Sequence, residues 1–413
     1  MLTTLAVHGY RSLRNVVLPL APVTVVTGAN GSGKSSLYRA LRLLGATATT
    51  GVVGPLARDG GLDRVLWAGP EVITGSMRRG EVPIQGASKR SRPVSLMLGF
   101  VSDEFGYLAD IGLPVPSSTM FGRDPLIKRE EVFAPPILRP SAALVRRQGR
   151  AVRVTGEGTV SDDLGDRVSI LGELHDPRHH PEVAALRKTV TSWRFYDGFR
   201  TDAQAPARQP CVGTWTPVLA EDGHDLAAAI QTILESAWAD PFNEVVERAF
   251  AGTTVRISDA AGRFEVLVNQ PGMLRPLGAD ELSDGTLRFL LLATALLSPR
   301  PPSLLVLNEP ETSLHPHVLP VVADLMRQVS QRTQVLVVSH ADGLVRPLLG
   351  GADNDPSSTE LSDEDPDRAD QPGRCLDGSS GSVLHHHLVK CDGETMVEGQ
   401  GLLTTPSWEW GRR

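Results

Sequence analysis

Eight residues near the amino terminus combine three glycines with a lysine and two serines. The segment GANGSGKS, Gly28–Ser35, fits the pattern G-x-x-x-x-G-K-[ST], follows an apolar, β-branched stretch and precedes a segment with helical leucine spacing. Glycines allow the backbone to turn its N–H groups towards phosphate oxygens, and the amino terminus of the following helix adds the positive end of its dipole. We therefore expect Lys34 to contact the β- and γ-phosphates of ATP, and the Ser35 hydroxyl to ligate Mg²⁺. The residues expected to contact the nucleotide are Gly28, Ala29, Asn30, Gly31, Ser32, Gly33, Lys34, Ser35 and Ser36.

A second pair of polar residues follows an apolar strand candidate late in the chain. In SLLVLNEPETSLHP, Ser303–Pro316, the apolar run ends at Asn308 and Glu309. At a Walker B strand end, the first polar residue holds Mg²⁺, usually through water, and the following glutamate orients or deprotonates the attacking water. Asn308 stands where such strands usually have aspartate, so its carbonyl can accept from a metal-bound water but adds no negative charge. We expect Asn308 to be a weak Mg²⁺ position and Glu309 to be the general base.

Two more polar positions flank this strand in the sequence. LSDGT, Leu282–Thr286, opens an apolar helix candidate, with Ser283 and Asp284 where an N-cap belongs. By itself this pentapeptide is an ordinary helix cap, but ahead of the Asn308 strand it predicts a second phosphate-binding helix end. The strand candidate QVLVVSH ends at His340, which can contact the γ-phosphate or the attacking water.

Strands that alternate with helices have to position these motifs. Residues 1–45 and 280–345 both show apolar strand candidates next to segments of helical spacing. This alternation favours an α/β fold with a mostly parallel sheet. VRISDAAGRFEVLV predicts a hairpin that turns at Ala261-Gly262.

Composition and patterning divide the chain into five predicted parts. These are an N-terminal lobe over 1–114, an insertion of mixed short elements over 115–220, a C-terminal lobe over 221–349, an acidic linker without regular structure over 350–382, and a β-hairpin with a tail over 383–413.

The charge of the chain is unevenly distributed. Its formal net charge is −7, and the segment Asp353–Asp370 alone contains eight acidic residues and one arginine. The rest of the chain can therefore present basic surfaces. Residues 78–92 and 123–153 each carry a net positive charge, and both stretches could follow a phosphate backbone.

Other functional classes are excluded by pattern. No apolar stretch approaches the ~18 residues of a membrane span, and the amino-terminal residues do not resemble a signal peptide, so we expect a cytoplasmic protein without a membrane partner. The three cysteines are too scattered for a metal or redox motif. Neighbouring residues on a strand face opposite sides, so His385–His387 do not form a metal site.

In this order, the four motifs resemble those of ABC-type ATPases of the SMC and RecF group, and most of all the compact RecF-related predicted ATPases of bacteria. The resemblance covers about residues 1–45 and 280–345. It implies a P-loop ATPase head with a mostly parallel sheet, an antiparallel β lobe and a mixed insertion. It also implies a nucleotide contact for Arg11 and a D-loop at Ser313–Pro316. The resemblance does not place the Q-loop glutamine, for which Gln85 is the nearest residue.

The same resemblance implies assembly. Two copies would dimerise head to tail around two ATP molecules, so that the signature residues Ser283, Asp284 and Gly285 of one copy meet the γ-phosphate bound by Lys34 of the other. We expect this ATP-driven homodimer to act as a switch in DNA repair or another DNA-linked process, with duplex DNA as a candidate partner. One alternative is the ATPase component of a phage-defence or toxin-control system that gates a separate effector protein. Another, suggested by Asn308, is an ATP-binding module that does not hydrolyse ATP.

Overall fold

The computed structural model describes residues 1–71, 74–79, 81, 93–350, 383–401 and 403–411. The predicted acidic linker beyond Gly350, the Q-loop candidate Gln85 and most of the basic stretch 78–92 lie outside these residues. The chain divides into two compact units. The first contains Met1–Ala21, Thr27–Trp193 and His386–Arg413, and the second contains Pro22–Val26 and Arg194–His385.

Strands are distributed along the whole described chain. They are β1 (Leu2–Tyr10), β2 (Leu13–Pro19), β3 (Val23–Gly28), β4 (Leu96–Ser102), β5 (Gly106–Gly112), β6 (Leu126–Phe133), β7 (Ala143–Gln148), β8 (Ala151–Val154), β9 (Gly158–Ser161), β10 (Arg194–Asp197), β11 (Cys211–Val212), β12 (Thr254–Ala260), β13 (Arg263–Asn269), β14 (Leu277–Gly278), β15 (Leu304–Asn308), β16 (Gln334–Val338), β17 (Val383–Cys391) and β18 (Glu394–Val397).

The helices are short. They are α1 (Lys34–Ala46), α2 (Val53–Arg58), α3 (Leu62–Val65), α4 (Gly75–Arg78), α5 (Ile170–Glu173), α6 (Pro181–Ser192), α7 (Leu226–Leu234), α8 (Ala239–Ala249), α9 (Asp284–Leu296), α10 (Leu319–Val329) and α11 (Asp342–Leu348), with 3₁₀ turns at Pro206–Arg208 and Pro316–Val318. Within the described residues, no helix has the length and apolar character needed to cross a membrane.

The first unit is built on an eight-stranded antiparallel sheet in the order β2-β1-β4-β5-β6-β7-β8-β9. The middle strand β5 is buried along its whole length, whereas β7 alternates between buried and partly or fully exposed positions, as expected near the edge of a sheet. Helix α1 packs against β1 and β4, which fixes the helix that follows the glycine-rich segment.

A buried ion pair joins the neighbouring strands β6 and β7 of this sheet. Arg147 and Glu130 are fully buried, and Arg147 Nη1 lies 2.9 Å from Glu130 Oε2. The carboxylate also accepts from Tyr107 Oη at 2.6 Å, from Ser169 Oγ at 2.5 Å and from the Ile170 N–H at 3.0 Å. Because every charge in this cluster has partners, it is a structural element rather than an available basic site.

The second unit contains a parallel arrangement of β10, β15, β16 and the first residues of β3. The register pairs Asp197 with Asn308, Asn308 with Val338, and Val338 with Val26, so the carboxyl ends of these strands share one edge. The apolar runs of β15 and β16 are buried, as expected for parallel strands covered on both faces. Beside them, β12 and β13 form the predicted hairpin at Ala261-Gly262, which the register confirms.

Replacing one partner of the buried ion pair tests its contribution to stability. Arg147→Met leaves the Glu130 carboxylate buried without its cation, so the free energy of unfolding should fall by about 3–5 kcal/mol. Urea denaturation measures this change. Arg150→Met is the control, because the Arg150–Asp163 pair is exposed and its loss should change stability little. Similar losses in both variants would contradict the structural role of Arg147.

Candidate functional site

The glycine-rich segment connects β3 to α1 in the first unit. Gly28 and Gly33 have φ values of 146° and 113°, which side-chain-bearing residues rarely adopt. A Cβ at Gly28 would collide with the Leu388 carbonyl oxygen, and one at Gly33 would collide with Thr395 Oγ1. Both positions therefore require glycine for conformation and for space.

Lys34 opens α1 with its side chain 5% exposed. Its Nζ donates to the Gly28 carbonyl at 2.5 Å and to the Ala29 carbonyl at 3.1 Å, so the ammonium group lies within the curl of its own loop. The first N–H groups of α1 have no carbonyl partner inside the helix and are available to an anion. Ser35 is exposed on the first turn of the helix. These features fit a phosphate chain.

The carboxy-terminal hairpin β17–β18 contacts this loop at several points. Thr395 Oγ1 donates to the Ser32 carbonyl at 2.6 Å, and the Thr395 N–H donates to the Ser12 carbonyl at 2.8 Å. His387 Nδ1 lies 2.9 Å from Thr27 Oγ1, immediately before the loop. The sequence analysis did not predict these contacts, because more than 350 residues separate Thr395 from Ser32 and no local pattern marks the pair.

Arg11 adopts a left-handed backbone conformation, with φ of 50°, directly after β1. Its guanidinium lies 3.7 Å from the Asp59 carboxylate, which also accepts a hydrogen bond from Tyr10 Oη at 2.9 Å. Arg11 lines an open cleft with Trp67 and Lys390, both of which the sequence analysis missed. The predicted contact of Arg11 with a nucleotide stays a prediction.

In the second unit, Asn308 ends β15 and faces the neighbouring strand β10. Its Nδ2 donates to Asp197 Oδ1 at 2.7 Å. Its Oδ1 is buried and has no hydrogen-bond partner among the described residues. An unpartnered carbonyl oxygen at this strand end fits the predicted role of accepting from metal-bound water.

Glu309 and His340 lie close together beyond the ends of β15 and β16. Glu309 Oε1 is 3.8 Å from His340 Nδ1, and both side chains are about half exposed. Glu309 has a left-handed backbone with φ of 46°, and its N–H donates to the Val338 carbonyl at 2.8 Å. A strained conformation of this kind persists only where surrounding contacts enforce it.

Glu311 holds His340 in position next to Glu309. Its carboxylate is 7% exposed and accepts from Ser339 Oγ at 2.7 Å and from the His340 N–H at 3.0 Å. His340 Nδ1 is 3.4 Å from the same oxygen. Sequence reasoning gave Glu311 no positioning role, although its spacing two residues after Glu309 was visible.

Arg288 contacts the backbone of Glu309. Its guanidinium donates to the Phe199 carbonyl at 2.8 Å and to the Glu309 carbonyl at 3.3 Å. Burial lowers the pKa of Arg288, and the carboxylates of Glu311 and Asp197 act in the opposite direction. Arg288 therefore links α9 to the end of β15.

The LSDGT segment forms the amino terminus of α9. Ser283 is the N-cap and its Oγ accepts from the Thr286 N–H at 3.1 Å, while Ser283 and Asp284 remain exposed. A Cβ at Gly285 would lie 2.9 Å from the Ser313 carbonyl, so glycine permits the close approach of the two loops. The nearly buried Arg208, also missed from the sequence, donates to Asp284 Oδ1 and to the carbonyls of Ala279, Asp280 and Leu282.

The predicted site residues are thus distributed over both units. The first unit contains Arg11 and Gly28–Ser36, and the second contains Ser283–Gly285, Asn308, Glu309 and His340. Within the second unit the structure brings Glu309 and His340 together. It also places Gly285 next to the predicted D-loop.

Comparison with known proteins identifies a related family. The model of the family described as "AAA domain, putative AbiEii toxin, Type IV TA system" matches residues 23–346. This range includes every predicted site residue except Arg11. Among curated proteins, none matches the chain.

Solved structures of SMC heads show a distant likeness. The crystal structure of an Smc head bound to the C-winged helix domain of ScpA has a TM-score of 0.48 at 14% identity, covering 97% of this chain and 98% of that chain. The SMC head domain from Thermotoga maritima has a TM-score of 0.43 at 15% identity, with coverages of 97% and 99%. An Smc head with an extended coiled coil, derived from Pyrococcus furiosus and bound to the C-terminal domain of ScpA, has a TM-score of 0.47 at 13% identity, with coverages of 96% and 95%.

Loss of the Lys34 ammonium group tests the phosphate-binding loop. Lys34→Ala should abolish ATP binding in isothermal titration calorimetry, because no other side-chain cation belongs to the loop. Lys188→Ala, which removes an exposed lysine of α6, serves as the control and should bind like the wild type. Equal ATP affinity of Lys34→Ala and the control would contradict the assignment.

Proposed function

Because the chain belongs to the family described as "AAA domain, putative AbiEii toxin, Type IV TA system", we propose that it is an ATPase of the RecF/SMC type. The observation that most supports ATP binding is the conformation of the loop Gly28–Ser35, with Lys34 curled inside it at the start of α1. The observation that most supports hydrolysis is the pairing of Glu309 with His340 at exposed strand ends.

Each polar side chain has a separate role in the proposed reaction. Lys34 and the N–H groups of the first turn of α1 bind the β- and γ-phosphates. Ser35 would ligate Mg²⁺, whose positive charge would offset the negative charge of the phosphates, and the Asn308 carbonyl would accept from a metal-bound water. Glu309 takes the proton of the attacking water, and His340 stays close enough to orient the carboxylate. Glu311 holds His340 in this position through its backbone and ring.

We further propose that two copies complete each site. Ser283, Asp284 and Gly285 sit at the exposed amino terminus of α9, a helix of 13 residues with no acidic neighbour in its first turn other than Asp284. Arg208 pairs with that carboxylate and so reduces its repulsion of an anion. The helix end can then accept the γ-phosphate held by Lys34 of a second copy.

DNA is a weaker candidate partner than the sequence alone suggested. Within the basic stretch 123–153, Arg129 and Arg147 are buried. Three more arginines of the stretch lie within ion-pair distance of acidic residues, in the pairs Arg123–Asp63, Arg146–Glu131 and Arg150–Asp163. Few uncompensated charges remain in this stretch to follow a phosphate backbone.

The family description favours the second candidate function, an ATPase component of a toxin–antitoxin system. In that role, the ATP-dependent dimer would gate a separate effector protein instead of acting on DNA. Stimulation of ATP hydrolysis by duplex DNA would favour the DNA-linked function. The absence of any stimulation, together with copurification of a protein encoded beside this chain, would favour the effector.

A mixing experiment tests the proposed site in trans. Ser283→Arg places bulk and charge at the helix end, so it should eliminate ATP hydrolysis while ATP binding persists. Lys34→Ala should also be inactive, because it cannot bind the phosphates. In a mixed dimer, one site carries both changes and the other carries neither, so part of the activity should return in a phosphate-release assay.

The matched control is Ser303→Arg, at an exposed position just before the amino end of β15 and thus at the opposite edge of the parallel strands. It should hydrolyse ATP like the wild type. Normal hydrolysis by Ser283→Arg would show that each site is complete within one chain. Binding of ATP without hydrolysis by the wild type would favour the non-hydrolysing alternative.

A further inference from the structure

The end of β10 places a carboxylate next to the amide of Asn308. Strands β10 and β15 run parallel, and Asp197 on β10 is the register partner of Asn308 on β15. Asn308 Nδ2 donates to Asp197 Oδ1 at 2.7 Å. Since a carboxylate only accepts hydrogen bonds, this contact fixes the amide orientation, with the nitrogen towards Asp197 and the carbonyl oxygen away from it.

Together, Asn308 and Asp197 provide the oxygen ligand and the negative charge that a Walker B aspartate provides alone. Asn308 Oδ1 is a buried oxygen without a hydrogen-bond partner in the described residues, but it carries no charge. Asp197 carries the charge and is exposed, and no ion pair involves it in the described part of the chain. Hard divalent cations and their water ligands are held by such combinations of carboxylate and carbonyl oxygens.

Arg288 does not use its hydrogen bonds on this carboxylate. Arg288 interacts electrostatically with Asp197, but its guanidinium hydrogen bonds go to the carbonyls of Phe199 and Glu309. The Asp197 carboxylate therefore keeps one oxygen for another partner, since Oδ1 receives the Asn308 amide.

We propose that Asp197 supplies, from the neighbouring strand, the negative charge that Asn308 lacks at the Mg²⁺ of the bound nucleotide. This inference rests on the proposed function, because the metal arrives with ATP. With asparagine at position 308, the negative charge that binds the metal is not lost. It lies on the neighbouring strand β10, at Asp197. On this proposal, Mg²⁺-dependent binding and turnover do not require an aspartate at position 308.

Substitution by asparagine separates the charge of Asp197 from its structural contact. In Asp197→Asn the new side-chain carbonyl still accepts from Asn308 Nδ2, so the strand ends keep their hydrogen bond and the thermal midpoint in EDTA should not change. The charge alone is lost. The full chain is titrated with the non-hydrolysable analogue AMP-PNP, once in EDTA and once in Mg²⁺, and the ratio of the two dissociation constants is the readout.

The wild type should bind AMP-PNP more tightly in Mg²⁺ than in EDTA. Asp197→Asn should reduce this preference by about 10–100-fold, the usual effect of losing a residue that supports a metal, with binding in EDTA unchanged. The exchange variant Asp197→Asn/Asn308→Asp returns one negative charge to the pair and should restore most of the preference. Asp202→Asn, which removes an exposed carboxylate paired with Arg200, is the matched control.

Two results would overturn the inference while leaving the proposed function intact. One is a wild-type Mg²⁺ preference in Asp197→Asn, and the other is a failure of the exchange variant to recover a preference that Asp197→Asn has lost. If the wild type bound AMP-PNP in neither condition, the proposed function itself would be wrong.

Discussion

The in-register pairing of parallel strands is the constraint on which the chemistry of the second unit depends. Because β10, β15 and β16 end at one edge, the side chains that follow their apolar runs become neighbours. Asp197 reaches Asn308, and Glu309 reaches His340, without any of these residues being close in sequence to its partner across the sheet. A shift of one residue in the register would turn each of these side chains to the other face.

Sequence patterns predicted the elements whose signal is local. The glycine-rich loop, the buried strands β15 and β16, helix α9 and the hairpin at Ala261-Gly262 are each specified by a short run of residues. The family match and the α/β architecture confirm the predicted P-loop NTPase fold class. The assignment of individual site residues and the division into five parts stay predictions.

Residues whose partners lie far away in the sequence are not marked by any local sequence pattern. Asp197 is 111 residues from Asn308 in sequence, and Arg208 is 76 residues from Asp284. The stretch around β10 has four strand residues and weak periodicity, so nothing in the sequence marked it as a neighbour of β15. The net positive charge of residues 123–153 predicted a basic surface. Arg147 does not contribute to such a surface because it is buried with Glu130, and a count of basic residues cannot show this burial.

We propose that ATP brings two copies of the chain together around catalytic sites built on Glu309. The most direct measurement is the mass in solution of Glu309→Gln, by sedimentation velocity, with and without ATP and Mg²⁺. We expect a monomer without nucleotide and a stable dimer with ATP and Mg²⁺, since the amide preserves the shape of the side chain but cannot take the proton from water. A mass that does not change when ATP is demonstrably bound would contradict it.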